Sequence, residues 1–269
     1  MIDLIDLSDL TLVIPFKYDT EDRINNLRFV LKYYKKNFID TKFVIIESGV
    51  EQRGKEFEGQ HNVHYEFREE PGLMHRTKML NDGAKIAKTR FIGAYDTDVF
   101  FKRDDTKRTM DALRSGKNYV LPFNGIFLDV ARTAKTQVVE SLDAEFLPMV
   151  PHLVQRGNTI HGDLIRCIVN NSVGGALFYN RERFLQLGGY NEKFISWGHE
   201  DNEICHRFSA MGDPLFKIEN SNCYHLNHRR GKDSQMQHAH TANNLHELNK
   251  VRSLDRASLE KYIQSELIK

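Results

Sequence analysis

The protein has 269 residues, of which 40% are hydrophobic and 28% are charged, and 38 Lys and Arg face 37 Asp and Glu for a formal charge of +1. This composition is typical of a globular protein with a full core, and it excludes disordered, collagen-like and coiled-coil chains. The balanced charge argues against a dedicated nucleic-acid-binding protein, which would need a basic surface. No apolar run approaches the roughly 20 residues of a membrane span, and the first ten residues carry three Asp, so we expect neither a signal peptide nor a membrane helix.

The cysteines and the absence of linkers indicate how the chain is organised into domains and which cross-links it can form. Cys167, Cys205 and Cys223 are an odd number at wide spacing, which predicts neither a disulfide framework nor a zinc knuckle and favours a reducing cytoplasm. The chain shows no internal repeat, low-complexity tract or Pro/Gly/Ser-rich linker. The prediction is a single domain over residues 1–269.

The first 100 residues alternate strand-like and helix-like patterns. Two short apolar runs, Leu10–Ile14 and Lys42–Ile46, read as buried strands, and apolar residues at helical spacing lie between them, which predicts a βαβ unit. Further elements predicted in this half are a strand at Val63–Phe67, a helix at Arg76–Ala87 and a strand at Phe91–Tyr95. We expect a mostly parallel α/β sheet flanked by helices.

The second half is less regular. Its predicted elements are a helix around Asp104–Leu113, strands at Tyr119–Phe123 and Gly174–Tyr179, and helices at Arg181–Leu187 and Asp201–Met211. The stretch Asp129–Val169 reads as helices and loops over one end of the sheet. A last helix from about Ala242 is most simply core packing, and a basic membrane-surface helix is the alternative.

Two carboxylates follow the strand Phe91–Tyr95. In Asp96-Thr97-Asp98 the residues two apart point to one side, at the end of a strand where α/β sheets bind ligands. Clustered carboxylates repel each other and need a cation, which a divalent metal ion supplies. The other interpretation is a solvated turn, because Asp-x-Asp is common by chance.

Two histidines lie three residues apart near the C-terminal part of the chain. His225 and His228 would be split in a strand, but they converge in a turn or a helix. Imidazole together with carboxylate suits manganese or another borderline divalent ion better than calcium. Surface histidines are frequent in this region, so a ligand role and a surface role stay open at this point.

The only tryptophan of the chain precedes an acidic helix start. Trp197 is followed by Glu200, Asp201 and Glu203, and one of these acids would suffice as a cap. Three like charges beside an aromatic ring are costly without a function. A carboxylate base next to an aromatic platform suits the activation of a sugar hydroxyl.

These residues together resemble a known family. Val13-Ile-Pro-Phe-Lys17 is similar to the IPFR nucleotide segment of the β-1,4-galactosyltransferases (glycosyltransferase family 7) and their family 2 relatives, and Met74-His-Arg-Thr-Lys-Met-Leu-Asn81 resembles their FNRAKLLN helix. Tyr95-Asp-Thr-Asp98 resembles their DVD metal motif. The stretch with Gly174-Gly175, Gly188-Gly189-Tyr190 and Trp197-Gly-His-Glu-Asp201 is similar to their GG…GF…WGGED segment, and His225-x-x-His228-Arg-Arg resembles a segment that ends in HSR.

The resemblance implies a glycosyltransferase A-type fold and a set of site residues. It assigns Mn²⁺, or Mg²⁺, to Asp98, His228 and His225, the ribose to Asp96, and the general base to Asp201. The other roles that it implies are nucleotide binding by Pro15, Phe16, Lys17 and Arg76, contact with the uracil edge by Glu47, and an acceptor and donor-sugar site at Trp197, Glu200, Gly175 and Ser172. Residues of about 1–100 would form a nucleotide-binding half, about 101–230 an acceptor and metal half, and about 231–269 a lid and terminal helix, with Gly231–Ala239 as the lid.

The implied reaction is inverting transfer from a UDP-sugar to a hydroxyl of a glycan or lipid-linked saccharide, giving a β-glycoside. Ser172 occupies a position where a bulkier residue in galactose-specific members crowds a 2-acetamido group, so UDP-galactose and UDP-GalNAc stay equally open as donors. By analogy the pathway is bacterial surface-polysaccharide synthesis, in the cytoplasm or at the inner face of the membrane.

The chain departs from the family at two positions. His225 stands where the family has a methionine ligand, which is a conservative change for metal binding. Asp19 stands where a second basic residue of the nucleotide segment is usual, which puts phosphate contacts there in doubt.

Other functions fit parts of the pattern. A non-catalytic sugar-nucleotide- or glycan-binding protein would keep the metal site without turnover, but the intact Asp201 argues against it. A sugar nucleotidyltransferase would need a Gly-rich first loop, where this chain has Pro15-Phe16-Lys17. A retaining transferase of the same fold is a further alternative.

Overall fold

The structure is a computed structural model that describes residues 4–151, 154–160, 165–229 and 238–268. Its strands are β1 Ile5–Asp6, β2 Leu10–Phe16, β3 Phe38–Ile39, β4 Lys42–Gly49, β5 Val63–Glu69, β6 Phe91–Tyr95, β7 Val99–Phe100, β8 Tyr119–Leu121, β9 Phe127–Val130, β10 Ile165–Val169, β11 Ala176–Asn180, β12 Phe216–Lys217 and β13 Cys223–Leu226. Its helices are α1 Glu21–Asn37, α2 Arg76–Ile86, α3 Arg103–Arg114, α4 Arg132–Ser141, α5 Arg181–Gln186, α6 Glu200–Ala210, α7 Thr241–Ser253 and α8 Arg256–Tyr262.

A seven-stranded sheet forms the centre of the molecule, in the order β12-β8-β11-β6-β2-β4-β5. The strands β6, β2, β4 and β5 run parallel, whereas β11 is antiparallel to both of its neighbours. The predicted mostly parallel α/β sheet is therefore confirmed. Because parallel strands align their carboxyl ends, β2, β4 and β6 deliver the residues that follow them to one edge.

The helices cover the sheet with the faces that their periodicity predicts. Ile24, Leu27 and Leu31 of α1 are each at most 3% exposed. Helix α2 approaches β2 closely, since a Cβ on Gly83 would lie 2.2 Å from a methyl carbon of Val13. A side chain at position 83 would push α2, and the segment that leads into it, away from the sheet.

A second sheet, in the order β10-β9-β13-β7, was not predicted. Two of its four strands, β9 and β10, lie at the two ends of the stretch Asp129–Val169, where helices and loops were expected. Helix α4 is present there, but β9 and β10 correct the rest of the interpretation. These strands are only four and five residues long and pair with distant parts of the chain, so local periodicity gives no signal for them.

The C-terminal part forms two helices instead of one. The break lies before α8, where the Asp255 carboxylate accepts a hydrogen bond from the backbone N–H of Ser258 at 2.8 Å and caps the new helix. Leu248, Val251 and Leu259 are at most 2% exposed, so their apolar face packs into the protein and does not support the membrane-surface alternative. Within the described ranges, no helix combines the length and apolarity needed to cross a membrane. The predicted lid lies mostly outside the described residues, which exclude 230–237.

Candidate active site and metal centre

The candidate site lies where the large and the small sheet meet. Asp96 and Asp98 lie on the short connection from β6 of the large sheet to β7 of the small one. In β7, Val99 pairs with His225 of β13, and the backbone N–H of Leu226 donates to the carbonyl oxygen of Asp98 at 2.8 Å. This strand pairing carries a distant segment of the chain to the carboxylates.

Asp98, His225 and His228 form a cluster that could hold a metal ion. Their ligand atoms all lie within 4.8 Å of one another. The distances from Asp98 are 3.8 Å to Nε2 of His225 and 3.0 Å to Nε2 of His228. Ligands bound at about 2.1 Å to one ion lie roughly 3 to 4 Å apart, so the side chains are placed as ligands of a common ion would be.

Hydrogen bonds orient both imidazole rings. Nδ1 of His225 lies 2.7 Å from the carboxylate of Asp129, and Nδ1 of His228 lies 2.8 Å from the carbonyl oxygen of Arg229. Both partners only accept, so we infer that each Nδ1 carries the hydrogen and each Nε2 faces Asp98. Asn227 also donates to Asp129, at 2.6 Å. Such outer-shell partners fix the ring orientation that a metal ligand needs.

The pKa shifts in the cluster follow from its charges. Burial acts to raise the pKa of Asp98, but the charge of His225 and the hydrogen bond from His228 outweigh burial and lower it. Burial acts to lower the pKa of His228, yet the hydrogen bond with Asp98 and its charge raise it. The carboxylate thus stays ionised. A divalent cation bound between it and Nε2 of His228 would replace the hydrogen of that hydrogen bond. Two imidazoles and one carboxylate are a donor set that fits Mn²⁺.

Next to this cluster, one arginine joins three carboxylates. The guanidinium of Arg76 lies 3.0 Å from Asp96, 3.4 Å from Glu200 and 3.5 Å from Asp201. Arg76 is 4% exposed and begins α2, whose packing on β2 sets its position. The structure therefore places Arg76 among the acidic residues of the site, where its charge is already compensated.

Three carboxylates lie around the single guanidinium of Arg76, and the pKa values of two of them, Glu200 and Asp96, are raised. Burial, together with the charge of Asp201, raises the pKa of Glu200 to about 7, although Arg76 acts to lower it. Burial also raises the pKa of Asp96, with Arg76 opposing and the charges of Asp98 and Asp201 adding to it. The site therefore holds an excess of negative charge that a cation would relieve.

Among the described residues, hydrogen-bond donors reach only one of the two carboxylate oxygens of Asp201. Its Oδ1 accepts from the Tyr190 hydroxyl at 3.1 Å and from Arg76 at 3.5 Å. Its Oδ2 faces Gly174, where a Cβ would lie 2.6 Å from it. The neighbouring Gly175 has φ +91° and leaves no room beside Phe127, so this pair needs glycine for space and for backbone conformation.

The segment Pro15-Phe16-Lys17, to which the resemblance assigns nucleotide binding, lies at the end of β2. Pro15 and Phe16 are buried, and the ammonium of Lys17 donates to the carbonyl oxygen of Gly72. A cavity of about 240 Å³ lies beside Lys17, at the ends of β2, β4 and β5. Its walls include Tyr18, Ser48, Gly49, Arg53 and Pro71.

Glu47, which the resemblance assigns to the uracil edge, is not among the residues that line this cavity. Its side chain is fully buried and accepts from the backbone N–H groups of Arg53 at 2.9 Å and Gly54 at 2.8 Å, and from the Tyr65 hydroxyl. Glu47 therefore holds the loop that follows β4. The adjacent Ser48 does line the cavity, and its buried hydroxyl has no hydrogen-bond partner among the described residues.

The predicted acceptor residues differ in accessibility. Trp197 is 39% exposed and can present its ring to a ligand. Glu200 is 2% exposed and accepts a hydrogen bond from the backbone N–H of Gly198 at 2.7 Å. It therefore affects the site through its charge and by holding this turn, and not by contact with a ligand. Ser172 is half-buried, and its Oγ accepts from the backbone N–H of Gly174 at 3.1 Å.

The sequence interpretation missed three residues of the site. Arg23 of α1 lies 3.5 Å from Asp19 and 4.0 Å from Asp98, so it brings a cation to the metal cluster in the region where Asp19 replaces a basic residue. Asp19 lies just before α1, four residues from Arg23, and this spacing could have indicated the pair. Asp129 gave no local signal, because it reaches the site through a tertiary contact, whereas Tyr190 belongs to the segment Gly188-Gly189-Tyr190 but received no role.

One family model matches the part of the chain that contains several of these site residues. Residues 165–229, which include Asp201, His225 and His228, match a model described as the N-terminal domain of galactosyltransferase. A search of curated proteins finds no match.

Solved structures share the fold at low sequence identity. The catalytic domain of Drosophila β-1,4-galactosyltransferase 7, in complex with xylobiose, has a TM-score of 0.51 at 15% identity, over 90% of this chain and 80% of the other. A mutant of that enzyme, in complex with manganese, UDP-Gal and xylobiose, has a TM-score of 0.54 at 15% identity, over 90% and 79%. The mannosyltransferase PcManGT from Pyrobaculum calidifontis, in complex with GDP-Man and Mn²⁺, has a TM-score of 0.56 at 14% identity, over 96% and 69%. The predicted resemblance is thereby confirmed: the chain has the glycosyltransferase A-type fold, and its residues 165–229 match the galactosyltransferase model.

Proposed function

We propose that the protein is an inverting, divalent-metal-dependent glycosyltransferase that moves galactose or N-acetylgalactosamine from a UDP-sugar to a hydroxyl of a saccharide, forming a β-glycoside. The observation that carries this proposal is the cluster of Asp98, His225 and His228 beside Asp201, with Arg76 and Asp96 between them. A metal site and a carboxylate base at one sheet edge supply the two functions that the transfer needs. The galactosyltransferase segment supports a galactose-type donor.

The cluster would hold Mn²⁺, or Mg²⁺, through one carboxylate oxygen and two Nε2 atoms. A bound divalent ion stabilises the negative charge that develops on a diphosphate leaving group, as a Lewis acid. Asp129 keeps the His225 ring in place, and Arg23 adds positive charge at the same edge. The end of β2 and its cavity would take the nucleoside, with Lys17 at the wall.

Asp201 would act as the general base. Its Oδ2, to which no described residue donates a hydrogen bond, would accept the proton of the acceptor hydroxyl as that oxygen attacks the donor sugar. A single displacement inverts the anomeric centre, so an α-linked donor gives a β-glycoside. The exposed ring of Trp197 near this helix start would support the acceptor sugar.

We expect the substitution Asp98→Asn to abolish metal-dependent turnover. The test measures UDP release from UDP-Gal, UDP-GalNAc, UDP-GlcNAc and UDP-Glc, with GDP-Man as a competing donor, in the presence and absence of Mn²⁺. Wild-type protein should release UDP from one or two donors only with Mn²⁺. Loss of a direct ligand should weaken Mn²⁺ binding by about 100-fold or more, since outer-shell changes alone cost 10- to 100-fold.

The matched control for this variant is Asp105→Asn. Asp105 and Asp98 are both 5% exposed, but Asp105 pairs with Arg108 on α3, outside the site. Its substitution should leave Mn²⁺ binding unchanged. Wild-type protein that neither releases a nucleotide nor binds Mn²⁺ with UDP would refute the proposed function, and pyrophosphate as the product would favour a nucleotidyltransferase.

Donor choice can be tested at Ser172. Introducing the bulk of tyrosine with Ser172→Tyr should lower the ratio of UDP-GalNAc to UDP-Gal turnover by about tenfold, because a steric change of this kind is worth roughly 1–3 kcal/mol. Ser172→Ala adds no bulk and should keep the wild-type ratio. The measurement is UDP release with each donor under identical conditions. An unchanged ratio in Ser172→Tyr would remove Ser172 from the donor-sugar site.

The proposed pathway and cellular location of the protein rest on the sequence alone. Bacterial surface-polysaccharide synthesis and a cytoplasmic location at the inner face of the membrane stay predictions from the sequence. The acceptor proposed for them is a glycan or a lipid-linked saccharide.

A further inference from the structure

Two buried tyrosines lead to the carboxylate of Asp201. The Tyr190 hydroxyl lies 3.1 Å from Oδ1 of Asp201, and the Tyr179 hydroxyl lies 3.2 Å from that of Tyr190. Both tyrosines are at most 1% exposed. Water therefore does not compete for these hydrogen bonds.

The carboxylate of Asp201 determines which hydroxyl donates in each of these hydrogen bonds. An ionised carboxylate only accepts, so Tyr190 donates to Asp201 and is left to accept from Tyr179. Burial raises the pKa of both tyrosines well above its usual range, and the charge of Asp201 adds to this effect at Tyr190. Both hydroxyls therefore keep their protons at any pH at which the protein is active.

The position of Tyr190 is held by contacts with other elements. Its backbone N–H donates to Oδ1 of Asn81 at 2.7 Å, and the Nδ2 of Asn81 donates to its carbonyl oxygen at 2.8 Å. Arg207 donates to the carbonyl oxygen of the preceding Gly189 at 2.7 Å. Because backbone and ring are both fixed, the hydroxyl is aimed at Asp201 before any substrate binds.

The two carboxylate oxygens of Asp201 are thus divided between two tasks. Oδ1 is held by Tyr190 and Arg76, whereas no described residue donates to Oδ2, which lies against Gly174. We propose that Tyr190 is a positioning residue that turns Oδ2 of Asp201 toward the acceptor hydroxyl and stabilises the ionised base, with Tyr179 strengthening its hydrogen bond. This inference rests on the proposed function, in which Asp201 is the base.

The test is the pH dependence of kcat in Tyr190→Phe, which removes one oxygen and keeps the ring. Without the donated hydrogen bond the base takes up its proton more readily, so the acidic limb of the profile should move upward by about one pH unit. At pH values below that limb kcat should fall by about tenfold, while KM for the donor stays unchanged. Tyr179→Phe should move the limb in the same direction by a smaller amount, since it acts through Tyr190.

The matched control is Tyr33→Phe. Tyr33 is also 1% exposed and donates to the carbonyl oxygen of Phe101 at 2.8 Å, but it lies on α1 without contact to Asp201. This variant loses a comparable buried hydrogen bond and should keep the wild-type pH profile. A loss of stability alone would affect Tyr33→Phe and Tyr190→Phe alike and would not move the limb.

The outcomes separate the two proposals. An active wild type whose acidic limb is the same in Tyr190→Phe overturns the positioning role and leaves the proposed function intact. A wild type without transfer overturns the proposed function, and the role of Tyr190 with it. If Tyr190→Phe does not fold, Tyr179→Phe decides, because an unshifted limb in that variant contradicts the hydrogen-bond chain.

Discussion

Replacing Asp201 with asparagine is expected to lower the rate of sugar transfer by about 10²–10⁴-fold, which is the range that a positioned general base contributes. Asparagine keeps the shape of the side chain and an oxygen that Tyr190 can donate to, but it cannot take the proton of the acceptor hydroxyl. The effect should therefore appear in kcat. Binding of UDP and Mn²⁺, measured by calorimetry, should stay at the wild-type level, because the metal ligands are untouched.

The control for Asp201→Asn is Asp213→Asn. The side chain of Asp213 is 10% exposed, against 15% for Asp201, and it pairs with Arg183 and Asn118 away from the site. Its loss should affect stability more than transfer. Should Asp201→Asn keep more than about a tenth of the wild-type rate, Asp201 would not be the base.

The largest effect on stability is expected at Arg207. Both Arg207 and Glu203 are fully buried on α6, and their side chains form two hydrogen bonds at 2.8 and 3.0 Å. Arg207 also donates to the carbonyl oxygens of Leu187 and Gly189 in the turn before Tyr190. Arg207→Met leaves the Glu203 charge and these carbonyls buried without a partner, so the free energy of unfolding should fall by about 3–5 kcal/mol.

Urea denaturation checks this value against a matched pair in the same protein. Arg256 and Glu260 are also an Arg–Glu pair four residues apart on a helix, at 3.2 Å, but their side chains are 68% and 50% exposed. Arg256→Met should change the free energy of unfolding by less than about 0.5 kcal/mol, because exposed pairs contribute little. Similar losses in the two variants would show that burial of the Arg207 pair has no special importance.

A second variant separates charge from packing at this pair. Replacing both residues, as Arg207→Met with Glu203→Leu, removes the buried charge that the single change leaves behind. The double variant should therefore be more stable than Arg207→Met alone. It should still be less stable than the wild type, since the carbonyl oxygens of Leu187 and Gly189 lose their donors.

The elements predicted well are those that local patterns define. The strand at Phe91–Tyr95 has the predicted bounds, and α2, α3 and α6 differ from their predicted bounds by one or two residues. Apolar runs and helical periodicity report how a segment faces its nearest core, which is a property of the segment itself. For the same reason the Asp96-Thr97-Asp98 motif was placed correctly at the end of a strand.

The histidines show where local patterns stop. A strand was expected to separate His225 from His228, and a turn or helix to bring them together. In the structure His225 lies on β13 and His228 lies beyond its end, so the chain turns between them and both rings reach Asp98. The convergence depends on β13 pairing with β7 and β9, which are distant in the sequence.

Glu47 and Arg76 were predicted as ligand contacts, and in the structure both side chains have protein partners. Glu47 accepts hydrogen bonds from the loop after β4, and Arg76 joins Asp96, Glu200 and Asp201. A charged residue type at the right position cannot tell a ligand contact from an internal one, because burial decides which groups must be compensated within the protein.

By itself the sequence determined the α/β class and the order of strands and helices along the first half of the chain. It also determined which types of side chain are available for a metal site and a general base. Only the tertiary structure decided that Asp129 orients His225, that Tyr190 reaches Asp201 and that Gly174 lies against Oδ2 of Asp201. These features join segments far apart in the chain, and each depends on distances and burial that periodicity and motif spacing do not encode. Local patterns set which face a segment buries, whereas the packing of distant segments sets which polar groups meet there.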